Sequence, residues 1–282
     1  MGTVPRALRT MSGIRSSRSR ARTCWLTAGW VQPSSQAGMQ TIGLLGGMSW
    51  DSSATYYRLI NEAVRRTLGG HHCAKVVLVS LDFAEVRELQ LRGAWDEAGA
   101  LLVDGAVRLE AAGADVVVLC TNVMHKVAPL IETATSLPLL HIADAVGACA
   151  RELGADRVGL LGARQVMEDA FYRDRLRERW GVDVIVPDDD DRLLVDRVIF
   201  EALTTSRIEP ESKRAYLGVV DRLASRGAQA IVLGCTEIGL LIGDADTRIP
   251  LIDSAQVHAA AAALAGTGAR SPITPRSVRA TL

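Results

Sequence analysis

The chain states one pattern twice. Residues 42–46 (IGLLG) recur as 158–162 (VGLLG), residues 113–121 (GADVVVLCT) recur as 227–235 (GAQAIVLGC), and residues 138–140 (PLL) recur as 250–252 (PLI). The copies lie 116, 114 and 112 residues apart, so the spacing drifts by only 2 residues per step. So regular an offset marks duplication of a whole half, which restricts the fold to two related lobes. The copies diverge at one matched strand end, where the first carries Thr121 and the second Cys235. Two such halves facing each other place these side chains on opposite sides of one cleft.

The apolar runs between the repeats read as strands: KVVLVSL, DVVVLC, LPLLHI, VDVIVP, AIVLGC and IPLID, beside the two repeated IGLLG-type runs. They are short, continuous and rich in Val, Ile and Leu, as in parallel strands covered on both faces. Longer amphipathic segments at 95–112, 166–180, 191–205 and 209–226 alternate with them at helical spacing. Gly113 and Gly227 stand where helix stops belong. This alternation predicts an α/β fold with two pseudo-symmetric, Rossmann-like lobes, each a mainly parallel sheet flanked by helices. The first lobe is expected over 39–142 and the second over 143–254, with a last helix at about 255–265 returning to the first.

Composition narrows the partners. The 282 residues carry 32 acidic and 32 basic side chains, so there is no basic footprint for nucleic acid. No apolar run reaches the roughly 18 residues of a membrane span. Cys24, Cys73, Cys120, Cys149 and Cys235 form an odd set without paired metal-ligand spacing. That suggests reduced thiols, a cytoplasmic protein and no metal. Residues 1–38 differ: they hold Arg6, Arg9, Arg15, Arg18, Arg20 and Arg22 but no acid, the first acidic residue being Asp51. This reads as a disordered extension or as a targeting segment. The polar stretch 266–282 reads as a disordered tail.

In open parallel sheets, ligands bind beyond the carboxyl ends of the strands. Thr121 and Cys235 stand there, as do Met48 and Ser49 after the first strand. Cys235 is followed by a helix-like segment, whose N-terminus would favour the thiolate. A buried cysteine alone is as readily an inert core residue. Thr121 and Asn122 offer a small hydroxyl and an amide, suited to a carboxylate. Cys120 points away from Thr121 by strand alternation and is expected in the core.

Three motifs in order, Gly46-Gly47-Met48-Ser49-Trp50 with Tyr56-Tyr57, Cys120-Thr121-Asn122-Val123-Met124-His125, and Gly234-Cys235-Thr236-Glu237-Ile238, resemble the signatures of the aspartate/glutamate racemase family. The resemblance runs from about Met39 to Ala265 and is similar to the bacterial L-aspartate/glutamate-specific branch, in which a threonine replaces the first of two cysteines. It implies a cofactor-independent, homodimeric enzyme that interconverts L and D acidic amino acids. Thr121 and Cys235 would be the catalytic pair on opposite faces of the α-carbon, and Met48, Ser49, Asp82, Asn122, Val123 and Thr236 would bind the substrate. In that scheme Asn122 and Thr236 hold the substrate carboxylate. Val123 replaces a usual threonine and removes a donor, and Asp82 is expected to meet the ammonium group. His125 and Glu237 are possible auxiliaries, or else a hydrogen-bonded helix-start histidine and an N-terminal helix glutamate.

A threonine hydroxyl is a far weaker acid than a thiol, so the two faces are expected to be unequal. Arg164, Lys126 and Arg192 are the candidates for a distal carboxylate. The alternatives are a related superfamily enzyme, such as a hydantoin racemase, maleate isomerase or decarboxylase, and a noncatalytic amino-acid-binding protein that kept the cleft.

Overall fold

A computed structural model describes residues 38–205 and 207–267. The first sheet contains β1 (Thr41–Gly46), β2 (Lys75–Ser80), β3 (Val116–Leu119) and β4 (Leu139–Leu140) in the order β2-β1-β3-β4. The second contains β5 (Arg157–Gly162), β6 (Asp183–Ile185), β7 (Ala230–Gly234) and β8 (Leu251–Asp253) in the order β6-β5-β7-β8. Every pairing is parallel. The repeat is therefore spatial as well as sequential. Leu44 pairs with Val118 as Leu160 pairs with Val232. The fold is α/β, with two pseudo-symmetric lobes.

The first lobe's helices are α1 (Trp50–Leu68), α2 (Phe83–Arg92), α3 (Trp95–Ala111) and α4 (Ala128–Ala134). The linking helix α5 (Ile142–Glu152) is followed by α6 (Arg164–Glu168), α7 (Ala170–Trp180), α8 (Asp189–Glu201), α9 (Pro210–Ser225) and α10 (Ile238–Leu241). Helices α3 and α9 stop in the same way. Gly113 and Gly227 follow them at φ +80° and +94°, a conformation that costs glycine little. The next residues, Ala114 and Ala228, donate back to Leu109 and Leu223.

Two of the expected helices differ in detail. The segment at 166–180 is broken at Asp169, which is extended and whose carboxylate accepts a hydrogen bond from Lys126 Nζ at 2.8 Å. The segment expected from 191 begins at Asp189, because the Asp188 side chain caps it by accepting from the Asp191 amide at 3.1 Å. It closes at Glu201, before a 3-10 turn at Leu203–Thr205.

The last helix, α11 (Ser254–Gly266), packs on both lobes. Its Ala255, Ala259, Ala262 and Ala263 are buried with Ile42, Leu44, Tyr56 and Ile60. Its Val257 and Ala261 are buried with Val146, Val158 and Leu160. Small side chains let this helix approach both neighbours closely, which accounts for the alanine run. Gly266 and Thr267, expected in the tail, instead close this helix, with Gln40 donating to the Gly266 carbonyl at 2.9 Å. The expectations for residues 1–37 and 268–282 lie outside the described residues. Among the described residues no helix is long and apolar enough to cross a membrane.

Candidate active site

The loop after β1 turns sharply at Gly47, φ +86°, where a Cβ would run into the Leu81 backbone. The turn delivers Met48 to the core and Ser49 to the N-cap of α1, where its Oγ accepts from the Ser52 amide at 3.3 Å. Asn122 and the 3-10 turn Val123–Val127 follow β3, and Cys235, Thr236 and Glu237 follow β7. These ends converge on one cavity of about 60 Å³, lined by Met48, Ser49, Thr121, Asn122, Val123, Cys235, Thr236 and Glu237. The two diverged positions of the repeat thus share one space, one from each sheet.

Glu237 organises the second-lobe side. Its Oε2 accepts from Cys235 Sγ at 2.9 Å and from Thr236 Oγ1 at 2.6 Å. Its Oε1 accepts from Ser52 Oγ at 3.3 Å and from Ser49 Oγ at 3.5 Å. Ser52 Oγ and Thr236 Oγ1 also lie 2.6 Å apart, and whichever donates to the other gives up its own bond to Glu237. One carboxylate therefore ties the start of α1 to the loop after β7 in the opposite lobe.

The state of Cys235 differs from the sequence expectation of a thiolate favoured by a helix N-terminus. Burial, and then the Glu237 carboxylate beside it, push its thiol well above the ordinary range. The following helix α10 has only 4 residues, so it offers little dipole to counter these effects. Cys120 is fully buried among Ile42, Val118 and Leu140, and burial raises its thiol too.

Asn122 is held in one orientation. Ser254 Oγ donates to the Leu233 carbonyl at 2.7 Å, which uses its only proton, so it can only accept from Asn122 Nδ2, at 3.1 Å. The Asn122 Oδ1 is buried without a partner. This residue, expected to donate to a carboxylate, also offers a free acceptor. Val123 packs against the cores of both lobes and forms an apolar wall where the resemblance implied a hydroxyl.

Two expectations are corrected. Asp82 does not line the cavity; it caps α2, its Oδ1 accepting from the Ala84 amide at 3.0 Å. His125, named as an auxiliary or a hydrogen-bonded helix-start histidine, is not one of the two: it lies behind Thr121 and outside the lining, with Nδ1 2.8 Å from the Thr121 carbonyl. None of the candidate cations reaches the cavity, because each is held elsewhere: Arg164 by Glu168, Lys126 by Asp169 and the Trp95 ring, Arg192 by Glu168 and Asp189.

The residues that sequence reading missed lie on α2 and α8. Phe83 and Gln90 from the first lobe, and Ile199 and Phe200 from the second, also line the cavity, as does Thr204 in the 3-10 turn that follows. Arg87 of α2 stacks on the Phe200 ring at 4.0 Å and donates to Gln90 Oε1 at 3.4 Å. Burial lowers its guanidinium pKa, offset partly by Asp196. With α2 phased by its cap at Asp82, residues 83, 87 and 90 fall on one helix face, a signal available in the sequence. Ser52, one turn beyond Ser49, was legible in the same way.

Known proteins are similar to this chain in sequence and in fold. A solved structure from Yersinia pestis, assigned as an Asp/Glu racemase, is 49% identical with a TM-score of 0.77, covering 81% of this chain and 99% of that one. An aspartate racemase homologue from Pyrococcus horikoshii OT3 is 28% identical with a TM-score of 0.72, covering 81% and 100%. The broad specificity amino-acid racemase RacX of Bacillus subtilis (strain 168) is 26% identical over 161 residues, 56% of this chain and 68% of that protein. With two duplicated lobes, a threonine and a cysteine sharing the cavity at their strand ends, and a match to the family model over residues 45–262, the chain belongs to the Asp/Glu/Hydantoin racemase family.

Proposed function

We propose that the protein is an amino-acid racemase that interconverts the L and D forms of aspartate or glutamate without a cofactor, using Cys235 and Thr121 as opposed proton-transfer groups. The observation that carries this reading is the convergence of these two side chains, one from each sheet, on a single small cavity. As substrate enters, Glu237 takes the Cys235 proton across their 2.9 Å hydrogen bond. The thiolate then removes the α-hydrogen, Thr121 gives a proton to the opposite face and regains one from solvent, and Glu237 releases its proton to solvent, which restores the starting state. In reverse, Thr121 relays the proton away and Cys235 donates. Removing so weakly acidic a hydrogen depends on charge stabilisation of the substrate carboxylate, which the Ser49, Ser52 and Thr236 hydroxyls can supply.

The free Asn122 acceptor suits the substrate ammonium group. Arg87, backed by the Phe200 ring and lying beside Gln90, suits the distal carboxylate, since a guanidinium stacked through its face keeps its edge donors free. The reading includes a homodimer, which light scattering tests by giving the mass of one chain or two. The central experiment is chiral chromatography of a panel of single-enantiomer amino acids after incubation with the protein. Formation of the opposite enantiomer of aspartate or glutamate supports the reading. Binding with no change of configuration would replace it with that of a noncatalytic binding protein.

A further inference from the structure

His125 makes no contact with the cavity, yet all its hydrogen-bonding capacity is committed next to the group that must deliver a proton. Its Nδ1 is 2.8 Å from the Thr121 carbonyl oxygen, which has no hydrogen to give, so Nδ1 carries the proton. Its Nε2 is 3.1 Å from the Ile142 amide nitrogen, which donates, so Nε2 is bare. The ring is therefore the neutral Nδ1–H tautomer, with both nitrogens used. The edge-on rings of His141, at 4.5 Å, and His258, at 5.6 Å, fix its plane. Burial, then the neighbouring His258, keep it uncharged.

We infer that His125 is a positioning residue for proton delivery by Thr121, acting through the Thr121 backbone carbonyl. The inference rests on the reading of Thr121 as a proton-transfer group. The Thr121–Asn122 turn is held at two points: by His125 on the Thr121 carbonyl, and by Ser254 on the Asn122 amide at 3.1 Å. With both flanks fixed, the Thr121 hydroxyl has little freedom to swing away from the α-carbon. The requirement is steep, because displacements of about 1 Å in a reacting group cost about 100-fold in rate.

The test separates proton delivery from loss of folded protein. Starting in heavy water from the enantiomer whose hydrogen Cys235 removes, NMR and chiral chromatography together give two rates: exchange with retention, which needs only Cys235, and inversion, which also needs Thr121. Their ratio does not depend on how much enzyme is active. His125→Gln keeps an acceptor near the Ile142 amide and loses the donor to Thr121. The inversion-to-exchange ratio is expected to fall by roughly 10- to 100-fold. His125→Asn keeps an amide donor at the Nδ1 position, so its ratio is expected to stay within about 3-fold of the parent. An unchanged ratio in His125→Gln, or an equal fall in both variants, overturns the inference. Parent protein with neither exchange nor inversion overturns the proposed function instead. Nitrogen-15 spectra of the unsubstituted protein give a check that does not rely on variants. A protonated Nδ1 and bare Nε2 on His125 support the inference, and the opposite tautomer overturns it.

Discussion

In the proposed mechanism a thiol and a hydroxyl share the work unequally. Of that pair only Cys235 can become a stable anion, its thiol lying 2.9 Å from the Glu237 carboxylate. Cys235→Ser is expected to abolish α-hydrogen exchange from both enantiomers, by at least roughly 1,000-fold, whereas Thr121→Ala should keep exchange on the Cys235 face and lose inversion. Thr121→Cys restores a matched pair and should bring the L-to-D and D-to-L rates closer together. Deuterium wash-in followed by NMR, begun separately from each enantiomer, measures all three. Exchange in Cys235→Ser at the parent rate would remove the thiolate from the mechanism. Arg87→Ala tests selectivity in the same framework. It should lower kcat/KM for aspartate and glutamate by about 100-fold, mainly through KM, and leave neutral amino acids within about 3-fold. Equal losses for acidic and neutral substrates in a chiral assay would show that Arg87 supports the fold rather than the substrate.

The elements place these groups through their ends, and two glycines with similar backbone angles show how differently such ends are constrained. Gly113 stops α3 at φ +80° with open space where a Cβ would stand. Gly47 turns the chain from β1 into α1 at φ +86°, against the Leu81 backbone. Gly113→Ala should therefore cost only the left-handed backbone penalty, about 1 kcal/mol. Gly47→Ala adds a clash that backbone must absorb, so a loss of roughly 3 kcal/mol or more is expected, together with displacement of Met48 and Ser49. Urea unfolding of the two variants compares them directly. Equal losses would mean that the β1–α1 turn tolerates a side chain. This scale was largely legible in the sequence: all eight strand segments form strands, and the matched glycines end matched helices. The break at Asp169 was not, because the Lys126 contact that accompanies it comes from the other lobe.

At the scale of the whole molecule, a buried histidine ties the last helix to the first lobe. His258 on α11 donates from Nε2 to the Leu140 carbonyl at 2.9 Å and accepts at Nδ1 from Tyr56 Oη at 2.9 Å, joining α11 to β4 and α1. Burial lowers its pKa from 6.5 to about 4, and His125 and His141 are lowered by the same cause. A histidine lowered in the folded state takes up its proton first in the unfolded chain. Stability is thus fully present above about pH 6.5 and declines as the pH falls toward about 4. Each such histidine contributes a slope of up to about 1.4 kcal/mol per pH unit in that window. Unfolding free energies from urea titrations between neutral pH and pH 5 should fall accordingly. A flat profile would show that these rings are already charged in the fold, or reach water.

The sequence by itself determined the duplicated α/β architecture, the strands and the helix stops, and the pairing of Thr121 with Cys235 at equivalent positions. Those features are carried by local patterns and by the repeat, and each half encodes its own sheet. Tertiary structure alone decided which side chains meet across the cleft. Ser254 on α11 turns the Asn122 amide, Phe200 on α8 receives Arg87 from α2, and Glu237 joins Ser49 and Ser52 to Cys235. It also moved Asp82 to a helix cap and His125 behind the site. The reason is physical: these contacts depend on how two separately specified sheets are set against each other, and that setting is fixed by packing such as that of the alanine-rich α11 between them, which no short motif records.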